Sequence, residues 1–253
     1  MNVALALCIV ASPPSARGVD WNRVIAALQL VGEEAVEAFE LPEPERSRRQ
    51  QQLSRLLARV ARPVPAAGIR AEIESIRKRL LGFDYEVGTA CRALIRTILG
   101  RVEVRRTPRA RPDLARGEKL YLQACAACHG PGATGDSALA ATLAPPARDI
   151  LHPRQNWAPY DMYNRVTYGG AETAMPSFED GLSELQRWDI VFYLFARRWP
   201  PCEKPLPPIA ADELALLGDF ELSNRFGYDA AACLRRAFLA PSKRTPARTR
   251  TGP

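Results

Sequence analysis

In the run Ala124-Cys125-Ala-Ala-Cys128-His129-Gly130, two thiols stand three positions apart and an imidazole follows at once. On one helical turn both sulfurs face the same side, where each can add to a vinyl group of one porphyrin while the next residue aims its imidazole at the iron. C-x-x-C-H is therefore the attachment spacing of c-type haem. The bare C-x-x-C also occurs in redox dithiols and in zinc sites. A zinc tetrad would need a second C-x-x-C or a His pair, whereas the chain holds two histidines, His129 and His152. A thioredoxin-like dithiol would need βαβ alternation around the motif, and none is present.

The flanks extend the reading. Gly117, Leu120, Tyr121 and Ala124 share one face of a helix leading into the motif. A glycine inside that helix costs about 1 kcal/mol relative to alanine, so a close helix crossing is expected at Gly117. Downstream, Tyr168-Gly-Gly-Ala-Glu-Thr-Ala-Met175-Pro-Ser-Phe178 is a glycine-rich loop ending in Met-Pro. Ser183 with Gln186 three residues on is a capping box, and Leu185, Trp188, Val191, Phe192 and Phe195 give the following helix its apolar face.

Helix, C-x-x-C-H, loop, Met-Pro and closing aromatic helix, in that order over residues 113–201, resemble class I cytochrome c. The resemblance implies an all-α fold carrying one covalently attached haem c on Cys125 and Cys128. His129 and Met175 would be the axial ligands of the iron. It implies a glycine–aromatic crossing of first and last helices at Gly117, Tyr121 and Trp188, and a proline carbonyl, from Pro145 or Pro146, orienting the imidazole. With both axial positions filled, single-electron transfer is expected rather than catalysis, so the chain is not expected to be an enzyme by itself. Two other side chains compete for the distal position: His152, near the Pro145-Pro146 corner, and Met162, which reads as a packed helix residue. Arg148, Trp157 and Tyr168 are candidates to line the haem.

Within this segment, Leu143-Ala-Pro-Pro-Ala-Arg-Asp149, Met162-Tyr-Asn-Arg-Val-Thr-Tyr-Gly-Gly170 and Thr173-Ala-Met-Pro-Ser-Phe178 are similar to the cytochrome part of fused cytochrome–iron permease proteins. Those proteins carry a helical stretch before the cytochrome and a short one after it. The similarity implies a redox partner that is a separate membrane iron permease. The other reading is a haem electron-entry subunit of a respiratory or dehydrogenase complex.

Toward the amino terminus, Val24, Ala27, Leu28, Val31, Ala35 and Phe39 recur at helical spacing, as do Leu53, Leu56, Leu57 and Val60. A third stripe runs from Ile69 to Leu99 with a break at Gly82. Three amphipathic helices with short loops predict an antiparallel bundle. Glu33, Glu34, Glu37 and Glu40 put E-x-x-E pairs on one face of the first helix. Carboxylates so spaced suit hard cations, but a solvated acidic face explains them as well. The expected organisation is an export signal at 1–18, a helical bundle at 19–100, a basic linker at 101–112, the haem unit at 113–201, a proline-rich joint with a helical segment at 202–240, and a basic disordered tail at 241–253. Met1–Ala11 is apolar but lacks the basic start of a complete signal, and Leu7 before Cys8 argues against a lipoprotein.

Composition bounds the rest. At 253 residues with 47% hydrophobic and 25% charged residues, wholesale disorder is excluded. The longest apolar run, Val3 to Ala11, is too short for a membrane span, which needs roughly 18 residues or more. The formal charge of +7 is concentrated in Arg101–Arg116 and in the residues after Arg235. Apart from Phe238 those stretches lack aromatics, so no nucleic-acid partner is expected. Attachment of haem c after export places the protein in the periplasm or another extracytoplasmic space. There, Cys202 and Cys233 can pair to staple the last helical piece to the haem unit, or stay apart as thiols. Cys91 reads as a buried core residue.

Overall fold

The computed structural model describes residues 18–152, 155–199, 202 and 206–238. The expected export signal, apart from Gly18, and the expected basic tail lie outside them. All regular structure among the described residues is helical.

Four helices, rather than three, make the amino-terminal part: α1 (Trp21–Glu40), α2 (Glu45–Ala61), α3 (Ala67–Leu81) and α4 (Val87–Leu99). Asp20 caps α1 by accepting the Arg23 amide at 3.1 Å. The stripe that reads as one helix from Ile69 to Leu99 is broken after Leu81, where Phe83 takes a left-handed φ of 61°. The Asp84 carboxylate then accepts the Glu86 amide at 2.9 Å. Leu28, Leu53, Leu57, Ile73, Leu80, Leu94 and Ile98 fill the space between the four helices. Cys91 belongs to this core, its Cβ tight against Gly32 of α1, and burial pushes its thiol up to about 12.

The second unit comprises α5 (Leu114–Ala124), the short turn α6 (Ala126–His129), α7 (Pro159–Tyr168) and α8 (Glu184–Arg198). Asp113 caps α5 through the amides of Ala115 and Arg116, and the Ser183–Gln186 capping box opens α8. The backbones of α5 and α8 touch at Gly117: a Cβ there would lie 2.1 Å from the Asp189 carbonyl oxygen. The aromatic pair at this crossing is Tyr121 with Tyr193, ring centres 5.7 Å apart. Trp188, expected there, instead stacks on Tyr163 of α7 at 4.3 Å.

Helix α1 is shared between the two units, which is why its apolar surface is wider than a single stripe. One side packs on α2 and α4 and another on α7. The α1–α7 seam is polar: Tyr160 donates to Asn22 at 2.6 Å and Asn164 to Gln29 at 2.6 Å. Arg165 bonds Glu33 at 2.7 Å and Glu34 at 2.6 Å, while Arg148 bonds Glu37 at 2.6 Å. The acidic face of α1 is therefore divided: Glu33 and Glu34 are drawn into the seam, whereas Glu37 and Glu40 stay exposed, as a solvated face would. Glu33, Glu34 and Glu37 are matched to arginines of the second unit, and no group of carboxylates, cysteines and histidines suited to a metal ion occurs among the described residues. The basic linker is likewise partly paired, Arg106 with Asp212 at 3.3 Å and Arg109 with Glu184 at 3.3 Å.

The carboxy-terminal piece is α9 (Ala211–Leu214), α10 (Asp219–Phe226) and α11 (Tyr228–Phe238). Arg235, fully buried, bonds Asp219 at 2.7 Å and the Leu214 carbonyl at 3.0 Å. Cys202 and Cys233 form a disulfide across 31 residues. Closing a loop of that length is worth about 3–4 kcal/mol in the chain-entropy treatment. Cys202→Ser/Cys233→Ser is expected to unfold at correspondingly lower denaturant, in the same direction as wild type treated with reductant. Chemical denaturation with and without dithiothreitol checks this, and coincident curves would show that packing alone holds the piece.

Candidate functional site

The motif lies where α5 ends. Cys125 terminates α5, and the amides of Cys128 and His129 return to its carbonyl at 3.1 and 2.9 Å, closing one tight turn. That turn is pinned from both flanks: the Tyr121 hydroxyl donates to the Gly130 carbonyl at 2.7 Å, and Ser137 donates to the Cys128 carbonyl at 2.7 Å. The loop then folds back, with the Ile150 amide on the Ala133 carbonyl at 2.8 Å.

This return brings the Arg148 carbonyl 3.0 Å from His129 Nδ1. A carbonyl only accepts, so Nδ1 carries the proton and Nε2 keeps its lone pair, the arrangement that orients a ligating imidazole. Burial pushes the imidazole below its usual range despite this hydrogen bond, favouring the neutral form. The orienting carbonyl thus belongs to Arg148 and not to Pro145 or Pro146. Both prolines instead line the cleft beside the motif.

Across that cleft, α7 ends at Gly169, where φ is +73° and a Cβ would lie 2.6 Å from the Met175 carbonyl oxygen, leaving no room for a side chain. The Gly170 amide bonds the same carbonyl at 3.2 Å, and Ser177 bonds the Thr167 carbonyl at 2.7 Å. The Met-Pro loop is thereby laid over the end of α7. Met175 lines the same cleft as Cys125, Cys128 and His129, together with Trp157, Phe178 and Leu194. All four site residues expected from the sequence are brought to one cavity.

Other expectations divide. Met162 also faces the cleft rather than serving only as helix packing, and Trp157 and Arg148 line it as anticipated. His152 is not among its lining residues. Tyr168 turns away toward α1, where the Arg23 guanidinium sits 4.7 Å above its ring. Two charged lining residues escaped the sequence reading, Glu34 of α1 and Arg165 of α7. Their signal was faint: an acidic helix face and an arginine within an otherwise aromatic helix have no visible mates until the units are packed.

The donor set fits a covalently held haem. Two sulfurs share one turn, a neutral imidazole has its free nitrogen available, a thioether shares the cavity, and the remaining wall is largely apolar. Residues 112–194 match the family described as cytochrome C oxidase, cbb3-type, subunit III. This stretch is a class I cytochrome c domain. The chain also resembles a chain of the Kuenenia stuttgartiensis reducing HAO-like protein complex, at 23% identity and a TM-score of 0.35. That match covers 45% of this chain and 60% of the other, less than two thirds of its length. No curated protein matches. No helix among the described residues is long and apolar enough to cross a membrane.

Proposed function

We propose that the protein is an extracytoplasmic c-type cytochrome that passes single electrons through one haem c, in a chain divided as bundle 19–100, linker 101–112, cytochrome domain 113–201 and helical segment 202–240. The observation that carries this reading is the shared cleft of Cys125, Cys128, His129 and Met175. Cys125 and Cys128 would hold the haem covalently through their sulfurs, an attachment that needs no oxidant. His129 Nε2 and the Met175 thioether would supply the two protein donors to its iron. When bound, the haem supplies a one-electron couple, and methionine ligation raises its potential. The chain's own part is to hold both donors in place. Arg148 fixes the imidazole, the Gly169 crossing fixes the Met-Pro loop, and the apolar wall keeps water from the iron and so favours the reduced state.

Closed coordination separates a carrier from an oxygen-binding or catalytic haem. A potentiometric titration is expected to follow a one-electron wave, with carbon monoxide leaving the reduced spectrum unchanged. Carbon monoxide binding at neutral pH would contradict it. The Cys202–Cys233 disulfide supports an oxidising compartment. The chain produced in the cytoplasm, without haem-ligation factors, is accordingly expected to stay colourless, and equal haem incorporation there would overturn that assignment.

For the partner, the similarity of residues 143–178 to permease-fused cytochromes supports a membrane iron permease. The name of the matched family, an oxidase subunit, supports the second reading, an electron-entry subunit of a respiratory complex. Co-purification from host membranes with an iron permease favours the first, and with oxidase or dehydrogenase subunits the second.

A further inference from the structure

We propose that Glu34, carried by α1 of the amino-terminal bundle, is a fixed negative charge in the wall of the haem cleft that lowers the reduction potential of the centre held there. The inference rests on the haem reading of that cleft and adds a positioning and tuning role for the bundle.

Glu34 lines the cleft together with Arg148 and Arg165, although it comes from a helix far from the motif in sequence. It is 5% exposed. Its Oε1 accepts from Arg165 at 2.6 Å, with an Arg148 nitrogen at 3.9 Å, and its Oε2 accepts from Arg49 Nε at 3.1 Å and from the Arg49 terminal nitrogen. Burial pushes the carboxyl up, but the Arg165 and Arg49 guanidiniums outweigh it and hold it below the usual carboxylate range. The carboxylate is therefore charged, immobile and out of solvent. Glu33 and Glu37 face the same arginines, but burial raises the Glu33 carboxyl above its usual range, so Glu34 is the firmer buried counter-charge to Arg49, Arg148 and Arg165. A pair this buried is little screened by salt, so removing one carboxylate leaves an uncompensated positive charge at the cleft. Reduction adds an electron, which that charge favours.

The test uses the full-length holoprotein. Glu34→Gln is expected to raise the reduction equilibrium constant several-fold, tenfold corresponding to about 59 mV for one electron, with the visible spectrum of the ligand set retained. Glu34→Asp, which keeps the charge, should stay near wild type. Glu40→Gln, at the exposed end of α1, should not move it. Arg49 does not line the cleft, so Arg49→Met removes a positive charge behind Glu34 and should shift the potential the opposite way. If Glu34→Gln does not fold, the sign of the Arg49→Met shift decides: downward supports the proposal, unchanged or upward overturns it. An unmoved potential in Glu34→Gln, or equal shifts in Glu34→Gln and Glu34→Asp, also overturns it. Covalent haem and its ligand spectrum are read first on the wild type. Their absence would remove the haem reading itself, whereas an unmoved potential with both intact removes only the role of Glu34.

Discussion

Gly117→Ala is expected to lower the melting temperature by roughly 4–12 °C, a net loss of about 2–3 kcal/mol. Helix propensity alone predicts the opposite sign, since alanine in place of glycine gains about 1 kcal/mol in a helix interior. The contact decides between them. The added Cβ would lie 2.1 Å from the Asp189 carbonyl oxygen and 2.6 Å from its carbon, and neither is a flexible side-chain end. Asp189 is fully buried and holds the Asp113 amide at 2.7 Å, so α8 is tied to the start of α5 and cannot simply slide away. Because α5 leads directly into Cys125, the displacement would also disturb the attachment turn. Thermal unfolding followed by circular dichroism checks the sign. A raised melting temperature would show that the helices have room to part.

The second large effect concerns the distal ligand. Met175→Ala is expected to abolish the weak long-wavelength sulfur-to-iron charge-transfer band of the oxidised protein. It should also lower the potential by an amount on the order of 0.1 V or more, within the ~0.8 V that axial ligands span. Met162 is the informative control because it faces the same cleft from α7. Met162→Ala should keep the band, with at most a modest change in potential and a loss of stability from the vacated core space. If the band survives in Met175→Ala and disappears in Met162→Ala, the ligand is Met162.

What could be read from the sequence follows the range of the interactions involved. The attachment turn, the Ser183 capping box and the apolar stripes of α1 and α2 are local patterns, written in residues a few positions apart. Gly117 announced a close crossing because a glycine in a helix interior needs a reason, but its partner lies across the fold. Tyr193 stands there, while Trp188, on the neighbouring face of α8, stacks on Tyr163 instead. The orienting carbonyl proved similarly unreadable. Every residue has a carbonyl, and only the return of the loop selects that of Arg148. The widest departure is the acidic face of α1. Charge on a helix surface reads as a solvated face, which holds for Glu40, whereas Glu33, Glu34 and Glu37 find arginine mates more than a hundred residues away on Arg148 and Arg165. The break between α3 and α4 was visible at Gly82, yet not that it ends one helix and starts another, because the left-handed residue there is Phe83.

The most direct measurement is the mass of the chain expressed with an export signal and a haem-ligation system, before and after extraction with acidified acetone. One added haem per chain is expected. It should survive extraction and map to the peptide containing Cys125, Cys128 and His129. A bare chain under those conditions, or a haem that extraction removes, would contradict the assignment of this cleft as a covalent haem site.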